Sequence, residues 1–374
     1  MRTVALVGRE QPGGENLSLR YLAAALLAAG QRAEILPVVG PGCLPSVRQQ
    51  ILDLDPDIVG LSMVDASSTI DALALARLLR AGGYRGHITC GGPVATLVRA
   101  HLLDVHPALD SVIRHDGEVP LVELLERLAV GAPWRDVPGI TTRDGDGPPA
   151  PVDSPLPLRT RPLHRDPLPR VAGVPIARLS GSRGCPARCA YCSPAALQVE
   201  ALAEGRRAGL GAAALRVAGV GGTRFRGAWD LAEEVAELYF QQGARVFHFV
   251  DENLLAGGRA RAEGWLDDFA AGLAARKVKE VAFCLQADPQ TLTPRVLDRL
   301  EALGVVRLSV GIEGLTAAQA RALGRRAAPD ANLALLAELT RAPSRYPRVP
   351  PPRSCAHLCP PRRCPPTGRA RVDS

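Results

Sequence analysis

A chain of 374 residues, 47% of them apolar, can build two ordinary cores at ~100–200 residues per domain. Its formal charge of +7 resides in the last 34 residues, where Arg341–Ser374 holds eight Arg against Asp373 alone, so the body before it carries as many acids as bases. A neutral body has no footprint for a phosphate backbone, which excludes nucleic acid as a partner, and the longest apolar run free of charge and glycine, Tyr21–Ala29, falls far short of the ~20 residues of a membrane span. Met1–Gly8 runs straight into a strand-like segment with no secretory pattern, so a cytoplasmic protein is expected. Nine cysteines, an odd number in a chain of this size, read as metal ligands or buried thiols rather than as a disulfide framework.

In chain order, Val4–Val7, Ala33–Val38, Ile58–Met63, His87–Cys90 and Ser111–Ile113 have strand character. Between them Asn16–Ala29, Ser46–Asp53, Thr69–Arg80, Val94–Leu103 and Glu118–Ala129 place apolar residues at helical spacing. That alternation predicts a doubly wound parallel sheet over residues 1–146, with its ligand edge at the carboxyl ends of the strands. Eight prolines between Pro148 and Arg170 then predict a semi-rigid linker, residues 147–172, that lets the sheet close over a second domain.

A second αβ pattern occupies residues 173–340. Pro175–Leu179, Arg245–Val250, Glu280–Leu285 and Val306–Gly311 read as strands; Trp229–Gln241, Ala262–Ala275, Pro294–Leu303, Ala317–Leu323 and Ala331–Leu339 read as helices, with a short helix expected within Ala187–Ala203. Repeats of this kind predict a (β/α) barrel or part of one, with its site at the C-terminal ends of the strands. The segment is short for six strand–helix units, so an incomplete barrel is expected. Residues 341–374, with nine Pro and eight Arg, cannot bury a face and are expected to be disordered. With 43 Arg and two Lys the coding sequence is expected to be GC-rich, and the tail could be read through in a shifted frame.

The strongest chemical signal is Gly184–Ser193, GCPARCAYCS, on the loop after the first strand of the second pattern. Cys185, Cys189 and Cys192 form C-x3-C-x2-C, three thiolates able to grip one small metal centre. Structural zinc wants four ligands, and no further Cys or His lies within ten residues. Three ligands suit a four-iron cluster with one iron left open.

This motif, with Tyr191 as its aromatic residue, resembles the signature of the radical S-adenosylmethionine superfamily. The resemblance implies a 4Fe-4S cluster whose open iron chelates S-adenosylmethionine, reductive cleavage to a 5′-deoxyadenosyl radical, and an electron donor such as a flavodoxin or ferredoxin. It also implies cofactor contacts at Asp251, Glu252 and Asn253 in VDENL, at Glu313 in GIEG, and at Gln286 and Asp288 after the strand between them. The plain alternative for these acids and amides is helix capping after a strand.

The first domain resembles the cobalamin-binding module that precedes the radical core in one branch of that superfamily. The resemblance rests on GGENLSLRYLAAAL (Gly13–Leu26), VGLSM (Val59–Met63), CGGPVAT (Cys90–Thr96) and DGE (Asp116–Glu118). It implies cobalamin contacts at Ser62, Gly91, Gly92, Thr96, Gly117 and Glu118, the two glycines admitting the nucleotide tail close to the sheet. Gly8–Gly14, GREQPGG, lacks the Asp-x-His-x-x-Gly motif that ligates cobalt through histidine.

Together these implied features describe a radical methyltransferase or rearrangement enzyme acting on a small molecule or natural product; the alternative is a non-catalytic cobalamin or iron–sulfur binding protein that has lost part of its barrel. His87, His101, His106 and His248 read as surface or satisfied core residues, His115 lies beside the binding edge, and Cys43, Cys90 and Cys284 read as small hydrophobes. In the tail Cys355, His357, Cys359 and Cys364 offer four ligands, but the prolines among them remove the backbone donors a second metal site would need, so one cluster is expected.

Overall fold

A computed structural model describes residues 1–10, 14–149, 161–164, 166–217, 222–313, 316–325, 332–335 and 337. The tail beyond residue 340 and the middle of the proline-rich linker lie outside the described residues; of the last expected helix, 332–335 and 337 are described and are helical.

Strand β1 (Thr3–Arg9) buries five consecutive residues, the pattern of a strand covered on both faces. It pairs in parallel with β2 (Arg32–Val38) on one side and β3 (Ile58–Ser62) on the other, and β4 (His87–Gly91) and β5 (Ser111–Ile113) extend the sheet in parallel. Helices α1 (Leu17–Ala28) and α5 (Glu118–Ala129) cover one face, over a core including Leu6, Leu26 and Leu124. On the other face α2 (Leu44–Leu54), α3 (Ala66–Ala81) and α4 (Pro93–Val105) pack over Val59, Leu75 and Ile88. Because the order runs β2-β1-β3-β4-β5, the crossovers change direction at β1, which opens a crevice at the carboxyl ends of β1 and β3. Two short antiparallel strands, β6 (Ile140–Thr142) and β7 (Gly145–Asp146), extend the β5 edge. Neither of these two is found in the sequence, where so few residues carry no periodicity.

The second sheet holds four parallel strands in the order β14-β13-β12-β9: β9 (Val174–Leu179), β12 (Val246–Phe249), β13 (Ala282–Ala287) and β14 (Val305–Val310). The short β8 (Arg170–Val171) runs antiparallel on the outer edge of β9. Helices α8 (Ala228–Gln242), α9 (Arg259–Ala275) and α10 (Pro294–Ala302) cover it, and Phe247, Phe249, Phe269 and Phe283 interlock with Trp265 in its core. Among the described residues the sheet is open, with β14 at one edge and β8 at the other. Over its mouth stand a ribbon of β10 (Ser182–Arg183) with β11 (Arg224–Phe225), then α6 (Ser193–Arg207), α7 (Ala212–Val217) and α11 (Ala317–Ala322). Helix α6 begins at Ser193, with Cys192 as its N-cap and Pro194 in its first turn, so the cysteine segment is loop throughout.

The two sheets are joined by buried charge. Glu200 and Glu204 of α6 reach Arg99, Arg114 and His115 of the first domain. Arg183 and Arg224 of the ribbon reach Asp116 and Glu118. At the linker's end His164 lies between Glu15 of the first domain, at 2.9 Å, and Glu234 of α8, at 3.0 Å. The linker is thus anchored at its far end rather than free along its length.

Candidate functional site

The cysteine loop is fixed from both sides. Gly184 has a φ of +89°, and a Cβ there would stand 2.6 Å from the Gly222 carbonyl oxygen. Glycine is therefore required one residue before Cys185. The Ala190 amide donates to the Leu323 carbonyl at 3.0 Å, and the Cys192 amide to the Cys189 carbonyl at 3.1 Å. Next to Leu323, Gly324 has a φ of +66° and comes within 2.6 Å of the Arg188 carbonyl oxygen, counted from an ideal Cβ. All three thiols are free; Cys189 is buried and the other two half-buried. Burial pushes the Cys185 thiol up, opposed by hydrogen bonds from the Ala187 backbone and the Asn253 side chain. Bound metal deprotonates a coordinating thiol outright, so that shift is no obstacle to ligation.

The VDENL residues divide their work. Asp251 is buried and accepts from the Ser182 hydroxyl at 2.6 Å and the Gly181 amide at 3.2 Å; burial pushes its carboxyl up to about 6. It braces the turn that leads into the cysteine loop. Asn253 reaches Cys185, and its own Oδ1 is buried without a hydrogen-bond partner. Glu252 points the other way: it accepts from the Gly184 amide at 3.3 Å and lines a cavity. The capping alternative fails for all three, because the next helix, α9, is capped at Gly258.

On the far side of the loop, Arg325 draws a second group together. It pairs with Glu313 and donates to the Tyr191 hydroxyl at 3.1 Å, to Asp288 at 3.3 Å and to the Gly311 carbonyl at 3.1 Å. Glu313 adopts a φ of +39°, rare for a side-chain-bearing residue, and is no helix cap, since α11 is capped by Thr316. Asp288 does cap a short turn, accepting from the Gln290 amide. Gln286 donates to the Glu252 carbonyl at 3.0 Å, linking the two groups. Arg325 was invisible in the sequence because nothing about an Arg-rich segment distinguishes one Arg.

Between the sheets lies a cavity of about 670 Å³, within the ~300–1,000 Å³ common for ligand sites. The first domain lines it with Ser62, Gly91, Gly92, Thr96, Gly117 and Glu118, the second with Arg183, Gly184, Gln198, Arg224 and Glu252 among others. Two readings of the sequence change here. Gly92 has a φ of +103°, and a Cβ would stand 2.8 Å from the Met63 carbonyl oxygen; at Gly91 it would stand 3.3 Å from that of Ile113. The sheet itself demands the absence of side chains, before any ligand does. Thr96 is fully buried and its Oγ1 accepts from the His115 amide at 3.1 Å, so it supports the adjoining turn from inside. His115 is committed to Glu204, at 3.2 Å. His87 is a satisfied core residue, bonded to Ser111 and packed edge-on against Trp134. Cys90 is a buried hydrophobe as expected, while Cys43 and Cys284 are half-buried.

The fold and site define a class: a doubly wound sheet whose ligand edge faces, across a shared cavity, the cysteine loop of a second αβ sheet. Residues 5–125 match the B12 binding domain and residues 179–345 the Radical SAM superfamily. The chain thus carries a B12-binding domain ahead of a Radical SAM superfamily domain.

Among curated proteins it is 25% identical over 249 residues to the uncharacterized methyltransferase PH0819 of Pyrococcus horikoshii, covering 64% of this chain and 49% of that protein. It is 30% identical over 187 residues to the hopanoid C-3 methylase of Methylococcus capsulatus, covering 48% of this chain and 36% of that protein. The chain thus spans half or less of the length of these relatives. Among solved structures, the radical S-adenosylmethionine methyltransferase TsrM of Kitasatospora setae superposes with a TM-score of 0.68 at 16% identity, covering 91% of this chain and 66% of that one. The cobalamin-dependent radical enzyme OxsB gives 0.67 at 18%, covering 90% and 47%. These likenesses establish the fold.

The residues present fit the cofactors these two domains imply: a 4Fe-4S cluster, S-adenosylmethionine and cobalamin. Among the described residues no three His, Cys, Asp or Glu converge on a single ion. The orphaned Oδ1 of Asn253 beside Cys185 leaves a polar atom without a protein partner next to that centre. For the corrin, the cavity lies at the carboxyl edge of a parallel sheet. No histidine follows β1 in the sequence, and Glu10 there is paired with Arg20 at 2.8 Å. No helix among the described residues is long and apolar enough to cross a membrane.

Proposed function

We propose that the chain is a cobalamin-dependent radical S-adenosylmethionine enzyme that transfers a methyl group to a small molecule, in the cytoplasm, with a flavodoxin or ferredoxin as electron donor. In this reading residues 1–146 hold the corrin, 147–172 link, and 173–340 form the radical core. The observation that carries it is the cavity whose walls come from the corrin-type sheet edge and from the threshold of the cysteine loop. Methyl transfer is preferred to rearrangement because both curated relatives bear methyl-transfer names.

When bound, the cluster with S-adenosylmethionine supplies a 5′-deoxyadenosyl radical and the cobalamin a transferable methyl group. The chain's own residues hold and orient. Cys185, Cys189 and Cys192 ligate the cluster. Tyr191, Asn253, Gln286 and Glu313, placed around the loop, would hold S-adenosylmethionine, and Asp251 fixes the turn before it. Arg325 neutralises Glu313 and Asp288, which keeps two carboxylates from repelling each other beside the loop. Ser62, Gly117 and Glu118 face the corrin, and Glu252 stands between the two. Walls from both domains exclude bulk water from the space where the substrate would sit.

The test is anaerobic reconstitution followed by reduction with S-adenosylmethionine. 5′-Deoxyadenosine should form, and the triple Cys185→Ala, Cys189→Ala, Cys192→Ala chain should bind no cluster and form none. A chain that holds iron, sulfide and corrin yet yields no 5′-deoxyadenosine would instead be the non-catalytic binding protein.

A further inference from the structure

The turn from β5 into α5, residues 114–118, has a job that its place at the corrin edge does not require. Arg114, almost wholly buried, sets Nη1 2.6 Å from Glu204, and His115 sets Nε2 3.2 Å from the same carboxylate. The next acids face the opposite way. Asp116 accepts from Arg183 at 2.9 Å and from Arg224 at 2.6 Å, and Glu118 accepts from Arg183 at 2.5 Å. Arg183 lies two residues before Cys185 and is stacked over Tyr21 with its guanidinium 4.9 Å from the ring centre. Glu204 lies on α6, the helix that Cys192 caps. One turn of the first domain therefore holds both the ribbon strand that leads into the cysteine loop and the far end of the helix that leads out of it. Arg114 and the His115 ring face an anion on the helix that leaves the loop, and Asp116 and Glu118 face cations on the ribbon that enters it. A slip in register would set like charges together.

The turn is itself stiff. His115 holds a φ of +57°, its amide is tied to the Thr96 hydroxyl, and Arg114 also donates to the carbonyls of Gly147 and Pro148. Four of its residues line the cavity, His115 and Asp116 to Glu118.

We propose that residues 114–118 are a positioning bracket which sets the distance between the cysteine loop and the corrin edge of the first domain. The inference rests on the reading of the cavity as the corrin site. It gives Arg114, His115, Asp116, Glu118, Arg183, Arg224 and Glu204 a role in the relative placement of two cofactors, none of them being called on as a ligand of the cluster. Ion pairs that only glue two domains could lie anywhere on the interface; these lie on the ribbon that enters one metal-binding loop and on the helix that leaves it. Burial and multiple partners make each pair costly to break, since one partner left alone is a buried charge.

The experiment measures that distance with the full chain, reconstituted with its cluster and loaded with hydroxocobalamin, then reduced to cob(II)alamin with a reduced cluster. The two paramagnets broaden each other's electron paramagnetic resonance signals, an effect that falls steeply with separation. Wild type should show the broadening. Asp116→Asn, Glu204→Gln and Arg224→Gln should each keep iron and corrin but lose much of it. Arg224→Gln removes one arm at a partly exposed site and serves if a buried variant fails to fold. His164→Gln, which loosens the domain contact away from the loop, should leave the broadening intact. Unchanged broadening in the three bracket variants with both cofactors bound would overturn the inference and spare the corrin reading. Equal loss in His164→Gln would reduce the bracket to general docking and overturn it also. Wild type that retains no corrin would remove the reading and the inference together.

Discussion

At the scale of single residues, the clearest lesson comes from Gly92. As a sequence feature, CGGP suggests room for a ligand; in the structure its φ of +103° and the Met63 carbonyl leave no space for a methyl group in the backbone itself. Gly92→Ala should therefore cost about 2–4 kcal/mol, from the forbidden φ together with overpacking. Thermal unfolding of the cofactor-free protein checks this. An unchanged melting temperature would mean that the glycine serves the ligand alone. The three cysteines were legible because their spacing is local and their chemistry needs nothing else to be noticed. Arg183, Arg224, Glu204 and Arg325 were not. Their partners stand far off in sequence, Arg224 to Asp116 spanning 108 positions, and in a chain with 43 Arg no single one announces itself.

At the scale of elements, strands and helices long enough to show a period were read correctly in type and nearly in extent; Glu118–Ala129 and Ser111–Ile113 agree to the residue. What escaped were the short helix α7 and the short strands, β6 to β8 and the β10–β11 ribbon, the strands being created by tertiary pairing without any local pattern. The proline-rich linker shows the same division. Composition marked it as neither helix nor central strand, but could not say that His164 at its end would be buried between Glu15 and Glu234. Burial works against charging that imidazole, yet the two carboxylates prevail and raise its pKa from 6.5 to about 9. A pKa raised on folding means that the native chain binds a proton more tightly than the unfolded one. The stabilisation is complete below about pH 6.5 and is lost as pH rises through about 9, with a ceiling of about 3 kcal/mol. Urea unfolding of wild type and His164→Gln should thus differ most near pH 6 and converge above pH 9. A gap that stays constant across that range would show that His164 does not hold its proton there.

At the scale of the whole molecule, the two sheets have separate apolar cores, and the contact between them is made of charge. Apolar cores fold each half; ion pairs then choose one mutual placement, because Asp116, Glu118 and Glu204 meet their arginines only when the other half arrives. Read as sequence, the ligand edge of residues 1–146 looks complete, and that fragment would be expected to bind hydroxocobalamin unaided. The structure argues for a weaker outcome. Arg183, Gly184, Gln198, Arg224 and Glu252 supply the opposite wall of the cavity, and without them one side of the corrin would remain in water. The loss reaches into the first domain too. Arg114, 1% exposed, would lose Glu204, and Asp116 and Glu118 would lose the guanidiniums that Arg183 and Arg224 bring. The Asp116 carboxyl is held well below the usual carboxylate range, because those two guanidiniums outweigh the effect of burial; alone it would sit as an uncompensated anion at the cavity's rim. Equilibrium dialysis should accordingly find hydroxocobalamin held at least about tenfold more weakly by residues 1–146 than by the full chain, the equivalent of ~1.4 kcal/mol. Equal affinities would mean that the sheet edge alone binds the corrin and that the second domain only covers it.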